Sequence, residues 1–134
     1  MKVVLDTNVV MSAIFFGGDP KRIVREAISK RLEIVATRAV LSEYREVAER
    51  LHEYYPSIVY KRQLAMIESV LHIVRPATLK AQVCRDPDDD AIIACALGAK
   101  AKVICSGDND LLVKNGFRGL EIMKPRDFRI KYLE

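Results

Sequence analysis

Short apolar runs rich in β-branched residues recur along this chain, each separated from the next by a stretch with helical spacing. Lys2-Val-Val-Leu5, Glu33–Ala36 and Lys102–Cys105 read as buried strands, with Glu121–Met123 a further one. Leu71–Val74 reads either as a strand or as the end of a helix. Between them, Asn8–Phe16 reads as a helix stopped by Gly17-Gly18, and Asp19-Pro20 as the cap and first position of the next. Thr37 caps a helix running to about His52. Pro56 opens a segment with Tyr60, Leu64, Ile67 and Leu71 at helical spacing. Asp86-Pro87 starts a helix with Ile92, Cys95, Ala96 and Ala99 on one face, Asp108 caps a short one, and Pro125 begins the last. Strands alternating with helices predict one α/β domain over residues 1–134, a parallel β-sheet sandwiched by α-helices.

Composition supports a packed core and argues against a membrane. Half of the residues are hydrophobic, enough for a domain of 134 residues to fold without disulfide or structural metal. The longest uncharged stretches, Thr7–Gly18 and Ala91–Ala99, fall short of the ~20 residues that span a bilayer. Asp6 and Asn8 interrupt what would be a signal-peptide core, so a cytoplasmic protein is expected. Cys84, Cys95 and Cys105 are odd in number and lack metal-ligand spacing, which fits buried, reduced thiols.

The acids are not scattered. Eight of the 18 fall in four places: Asp6; Glu43; Asp86, Asp88, Asp89 and Asp90; and Asp108 with Asp110. The rest of the chain is therefore strongly basic, as an enzyme acting on polyphosphate would need, although scattered surface charge gives similar totals. Ligands of open α/β sheets gather at the carboxyl ends of the strands. Asp6 ends the first strand, and Asp108 follows the Val103–Cys105 strand by two small residues. Asp90 in the first turn of its helix and Glu43 in the second turn of another reach the same crevice. Thr7 and Asn8 can hydrogen-bond there and fix the Asp6 carboxylate.

Four acids in one crevice repel one another unless a cation neutralises them. Oxygen ligands select Mg²⁺ or Mn²⁺, and no His or Cys cluster points to zinc. Such a cation activates water and stabilises the leaving oxygen in phosphodiester hydrolysis, and the sequence leaves one or two ions open. Each acid also has a plainer use: Asp86 and Asp108 as helix caps, Glu43 as a solvated charge with Glu46 its rival. Capping needs one or two acids of the Asp86–Asp90 run, not four.

Four segments together resemble a known family: Val3-Val-Leu-Asp6-Thr-Asn-Val9, Val40-Leu-Ser-Glu43-Tyr, Asp86-Pro-Asp-Asp-Asp90-Ala-Ile-Ile-Ala94 and Ser106-Gly-Asp108-Asn-Asp110-Leu-Leu112. In order and spacing they look like the PIN domain, over nearly the whole chain. The third and fourth are similar to a subgroup described as toxin components of toxin–antitoxin systems, the VapC-like proteins among them. The resemblance implies a metal-dependent endoribonuclease with Asp6, Glu43, Asp90 and Asp108 as its acidic quartet. Asp6, Asp90 and Asp108 would hold Mg²⁺ or Mn²⁺, with Asp110 a further acid and Asp89 the alternative to Asp90 in the third position. Asn8 and Ser106 match polar positions that support the carboxylates. An RNA substrate, an antitoxin partner and a homodimer, with Leu51–Val74 as its candidate surface, are implied as well. The alternative is an RNA-binding or RNA-processing PIN module with weak or no cleavage.

For RNA contact, Lys21, Arg22 and Arg25 share one helix face and Arg38 lies near Glu43 in sequence. Each is equally readable as a solvated helix charge. Phe15, Phe16, Tyr44, Tyr54 and Tyr55 are scattered, so core or interface packing is expected of them rather than base stacking.

Overall fold

The computed structural model describes the whole chain, Met1–Glu134. Five strands, β1 (Lys2–Leu5), β2 (Glu33–Ala36), β3 (His72–Ile73), β4 (Val103–Cys105) and β5 (Glu121–Met123), form one parallel sheet in the order β3-β2-β1-β4-β5. Consecutive residues of β1, Val3, Val4 and Leu5, are all buried. Because neighbours on a strand point to opposite faces, both faces of the sheet must be covered. This is the α/β/α sandwich that the alternation of runs predicts.

The helices are α1 (Thr7–Phe15), α2 (Gly18–Ile28), α3 (Arg38–Tyr54), α4 (Tyr60–Val70), α5 (Pro87–Ala99), α6 (Asn109–Leu112) and α7 (Pro125–Phe128), the last running on into a wider turn over Arg129–Leu133. Thr37 Oγ1 accepts from Val40 N and caps α3, and Asp86 accepts from Asp88 N and caps α5. α5 packs on β1, β2 and β4, and its Ile92, Ile93, Cys95 and Ala96 are fully buried. It comes so close to the Arg75–Ala77 segment that a Cβ on Gly98 would lie 2.0 Å from the Arg75 carbonyl oxygen.

Two helix starts differ from the expectation. α2 begins at Gly18, because Gly17, at φ 94°, turns the chain where an L side chain would be strained. Asp19 is then free of capping and binds Arg129 instead, at 2.6 Å. Pro56 does not open α4: the chain turns over residues 56–59 and the helix begins at Tyr60. Leu71–Val74 supplies a two-residue edge strand, with Val74 N also donating to Ala36 O.

Candidate metal centre

The strand order decides where the acids go. β1 and β4 are neighbours in register, Leu5 beside Cys105, and Asp6 N donates to the Cys105 carbonyl at 2.9 Å. Asp6 and Ser106 therefore leave the sheet side by side. Asp6 is buried, and both of its oxygens are held: Oδ1 accepts from Thr7 N (2.9 Å) and Oδ2 from Ser106 Oγ (2.7 Å). Ser106, itself fully buried, accepts from Asp108 N at 2.9 Å, so one hydroxyl sets both acids. Asp108 Oδ1 accepts from Asp110 N and caps α6. The cap and the ligand readings of Asp108 are thus compatible, since one oxygen does the capping.

Glu43 arrives from α3. Thr7 Oγ1 donates to Glu43 Oε2 at 2.7 Å, so Thr7 links the first and second acids. Glu43 is half-buried and Glu46 exposed, which separates the two rivals. Asn8 is exposed and makes no side-chain hydrogen bond to the acids; the supporting role expected of it falls to Thr7. Tyr44, one residue on from Glu43, is fully buried and donates its hydroxyl to the Leu5 carbonyl, tying α3 to the residue before Asp6. Burial also pushes its hydroxyl pKa well above the usual value, so it stays a donor.

The four aspartates of α5 divide their work. Asp86 caps, and Asp88 is exposed in the first turn, where a negative charge suits the helix dipole. Asp90 faces away from the other acids: its oxygens accept from Val83 N (3.0 Å) and Cys84 N (2.6 Å), clamping the loop before the helix. Those amides outweigh the effect of burial and hold its carboxyl below the ordinary range. The acid that joins the cluster is Asp89. It is buried, and its oxygens come within 4.8 Å of those of Asp108 and Asp110. So Asp89, the alternative to Asp90 in the third position, is the one of the two that clusters with Asp108 and Asp110. Consecutive residues on a helix point about 100° apart, and here Asp89 turns to the cluster while Asp90 turns to the loop before the helix.

Electrostatics mark the same spot. Burial, together with the charges of Asp108, Asp6 and Asp86, pushes Asp89 up to about 7. Burial also raises Asp6 against the opposing bonds from Ser106 and Thr7, and the charges of Asp108 and Glu43 add to the rise. Asp89 Oδ2 is a buried oxygen with no hydrogen-bond partner. A buried acceptor left unpaired among like charges is costly unless a cation meets it. The donor set is all carboxylate, which fits a hard divalent ion such as Mg²⁺ or Mn²⁺. The cysteines do not join it: burial pushes Cys84 and Cys105 up to about 12 and Cys95 to about 11, so they stay protonated.

This geometry comes with a sequence match. The family model of the PIN domain covers residues 2–110. The chain belongs to the PIN-domain family. Comparison with curated proteins gives no match. PIN domains are generally nucleases that use divalent metals, and in this one the matched span contains every acid of the cluster.

Other expected residues of this PIN domain lie elsewhere. Lys21 and Arg25 rim an apolar groove of about 250 Å³ between α1, α2 and α4, with Ile14, Val24 and Met66 in its lining and none of the acids. Arg22 pairs with Glu26 at 3.7 Å. Arg38 is exposed in the first turn of α3, at the sheet edge that carries the acids. One contact had no signal in the sequence: Arg85 reaches both oxygens of Asp110, at 3.2 and 3.0 Å. Nor did the sequence foretell that Phe16 packs edge-on against Tyr55, with Phe15 and Tyr60 beside them. No helix is long and apolar enough to cross a membrane.

Proposed function

We propose that this PIN domain is a Mg²⁺- or Mn²⁺-dependent endoribonuclease, with Asp6, Asp89 and Asp108 holding the cation and Asp110 at its edge. The buried, unpartnered Asp89 oxygen, clustered with Asp108 and Asp110 and close enough to Asp6 to feel its charge, carries the reading. When bound there, a divalent cation lowers the pKa of water and offsets charge on the phosphate. Asp6 is fixed by Ser106 and Thr7 and keeps its orientation as charge develops. Asp89 would hold the ion as the carboxylate, its proton passing to solvent. Glu43, oriented through one oxygen by Thr7, would accept the proton of the attacking water through the other. Hydrolysis forms one P–O bond to that water oxygen and breaks one ester P–O bond, whose oxygen leaves with a proton. Arg38 contributes phosphate attraction from the rim.

The toxin role follows from the subgroup resemblance. The apolar groove with Lys21 and Arg25 on its rim suits an antitoxin segment with apolar anchors and acidic neighbours. For a homodimer, the Leu51–Val74 region exposes Tyr54, Tyr55, Val59 and Met66, with Phe16 alongside. The test of the nuclease reading is incubation of purified protein with mixed RNAs, with and without Mn²⁺, beside D6N. Mn²⁺-dependent cleavage lost in D6N supports it; cleavage equal in both, or none in either, overturns it.

A further inference from the structure

A groove of about 580 Å³ is walled by the loop Leu79–Val83 on one side and by Lys114, Phe117 and Arg118 on the other; no acid lines it, but Arg85 lies two residues beyond one wall and Asp110 four residues before the other. Three of its residues, Lys80, Lys114 and Arg118, are cations, and none of them takes part in an ion pair. Arg118 sits at φ 49° in a turn flanked by Gly116 and Gly119, a left-handed backbone that a long side chain adopts at some cost. What links this groove to the cluster is the loop that carries Arg85, braced by Asp90, whose own carboxylate faces the loop rather than the cluster. Gln82 and Val83 line the groove, Asp90 holds the Val83 and Cys84 amides, and Gln82 Nε2 donates to the Cys84 and Arg85 carbonyls. The next side chain in that braced loop is Arg85, which lies on Asp110 and is otherwise exposed.

Arg85 therefore stands where the cationic groove meets the acidic cluster. A phosphodiester approaching the acids is repelled by them, and needs cations up to the last step. Asp110 cannot serve a guanidinium and a divalent cation equally. Once the acids hold an ion, Arg85 faces a positive neighbour, and an anion between the two relieves the repulsion. Arginine's planar fork suits a phosphate as well as it suits the carboxylate. We propose that a nucleic-acid strand is led to the acids along this groove, with Arg85 as its innermost phosphate contact, exchanging Asp110 for a backbone phosphate when the site takes up its cation. This rests on the metal-dependent nuclease reading above.

The test uses two quantities measured on the full chain. The first is Mn²⁺ affinity without nucleic acid, read from the free-Mn²⁺ paramagnetic resonance signal. The second is binding of a short fluorescein-labelled oligoribonucleotide in Ca²⁺, read by anisotropy across a salt series. R85A removes the competitor for Asp110, so Mn²⁺ should bind about two- to fivefold tighter, in line with an exposed ion pair. The same variant should bind RNA at least about fivefold more weakly. R85K should restore part of the RNA affinity, and R85A placed on D110N should no longer change Mn²⁺ affinity. K80A/K114A/R118A should leave Mn²⁺ binding unchanged and lower the salt slope of RNA binding by about 2, at ~0.7 per phosphate contact. A merely structural Arg85 would move both affinities the same way or neither. Mn²⁺ affinity unchanged or weaker in R85A, unchanged RNA affinity in R85A, or an unchanged salt slope in the triple variant overturns the proposal. Wild-type protein that binds no Mn²⁺ overturns the nuclease reading itself, and the two failures are told apart by that first titration.

Discussion

Replacing Asp89 with Asn should stabilise the metal-free protein while abolishing what the site is for. In the folded chain Asp89 titrates near 7, against an ordinary value of 3.8. A group whose pKa is raised by folding stabilises the fold fully below its unfolded value, and that contribution is lost as pH rises through the folded one. Wild-type protein in EDTA should therefore lose stability between about pH 4 and pH 8 through this residue. Roughly three pKa units at 1.36 kcal/mol each set a ceiling of about 4 kcal/mol. Water entering the open crevice screens the charge, which brings the expected figure to about 1–2 kcal/mol. In D89N the amide nitrogen can donate to Asp108, whose carboxylate already lies within hydrogen-bonding reach of Asp89, so the like-charge repulsion is removed. Urea unfolding at pH 8 in EDTA should show D89N more stable by that amount, an advantage that shrinks toward pH 5. Mn²⁺ at a hundred times its Kd should add about 2.7 kcal/mol to the wild type alone, and so reverse the order. If D89N were the less stable protein at pH 8 in EDTA, or if both gained equally from Mn²⁺, the account of Asp89 would be refuted.

Other substitutions separate the site from its scaffold. D90A loses the two amide bonds that brace the Val83–Cys84 loop and should cost about 1–3 kcal/mol in urea unfolding, while Mn²⁺ binding by the free protein is retained. G98A, which on helix propensity alone would gain about 1 kcal/mol, should instead lower thermal stability by about 1–3 kcal/mol, because its new methyl meets the Arg75 carbonyl. Y44F leaves the Leu5 carbonyl without its side-chain donor and should cost about 1–2 kcal/mol; kcat should fall as well, since the bond sets Glu43 against Asp6.

The sheet was legible because buried strands advertise themselves: Val3-Val-Leu5 and Val103-Ile-Cys105 are continuous apolar runs, and the acids after them had to leave from the same edge once the strands paired. Asp6 and Asp108 could be placed by that argument alone, whereas Ser106 was named through the family resemblance. Asp89 could not be told from Asp90, because α5 is apolar nearly all round and offers no polar face by which to set its rotation. What separates the two is the loop 79–85, whose amides Asp90 binds, and loops of that kind have no periodicity to read. Arg85 was missed for the same reason. Thr7 and Asn8 were equally open as supports and the resemblance pointed to Asn8, yet Thr7 is the first residue of α1 and its hydroxyl reaches α3. Pro56 carried a sound helix-start signal, which the turn at residues 56–59 overrode. Phe16 and Tyr55, far apart along the chain, were joined only by the packing of their helices.

The most direct measurement is an anomalous difference map from a crystal grown in Mn²⁺. The account expects a peak within coordination distance of the Asp6, Asp89 and Asp108 carboxylates, with the Asp90 side chain still on the Val83 and Cys84 amides. A map with no peak between those three acids, or with the ion on Asp90, would contradict it.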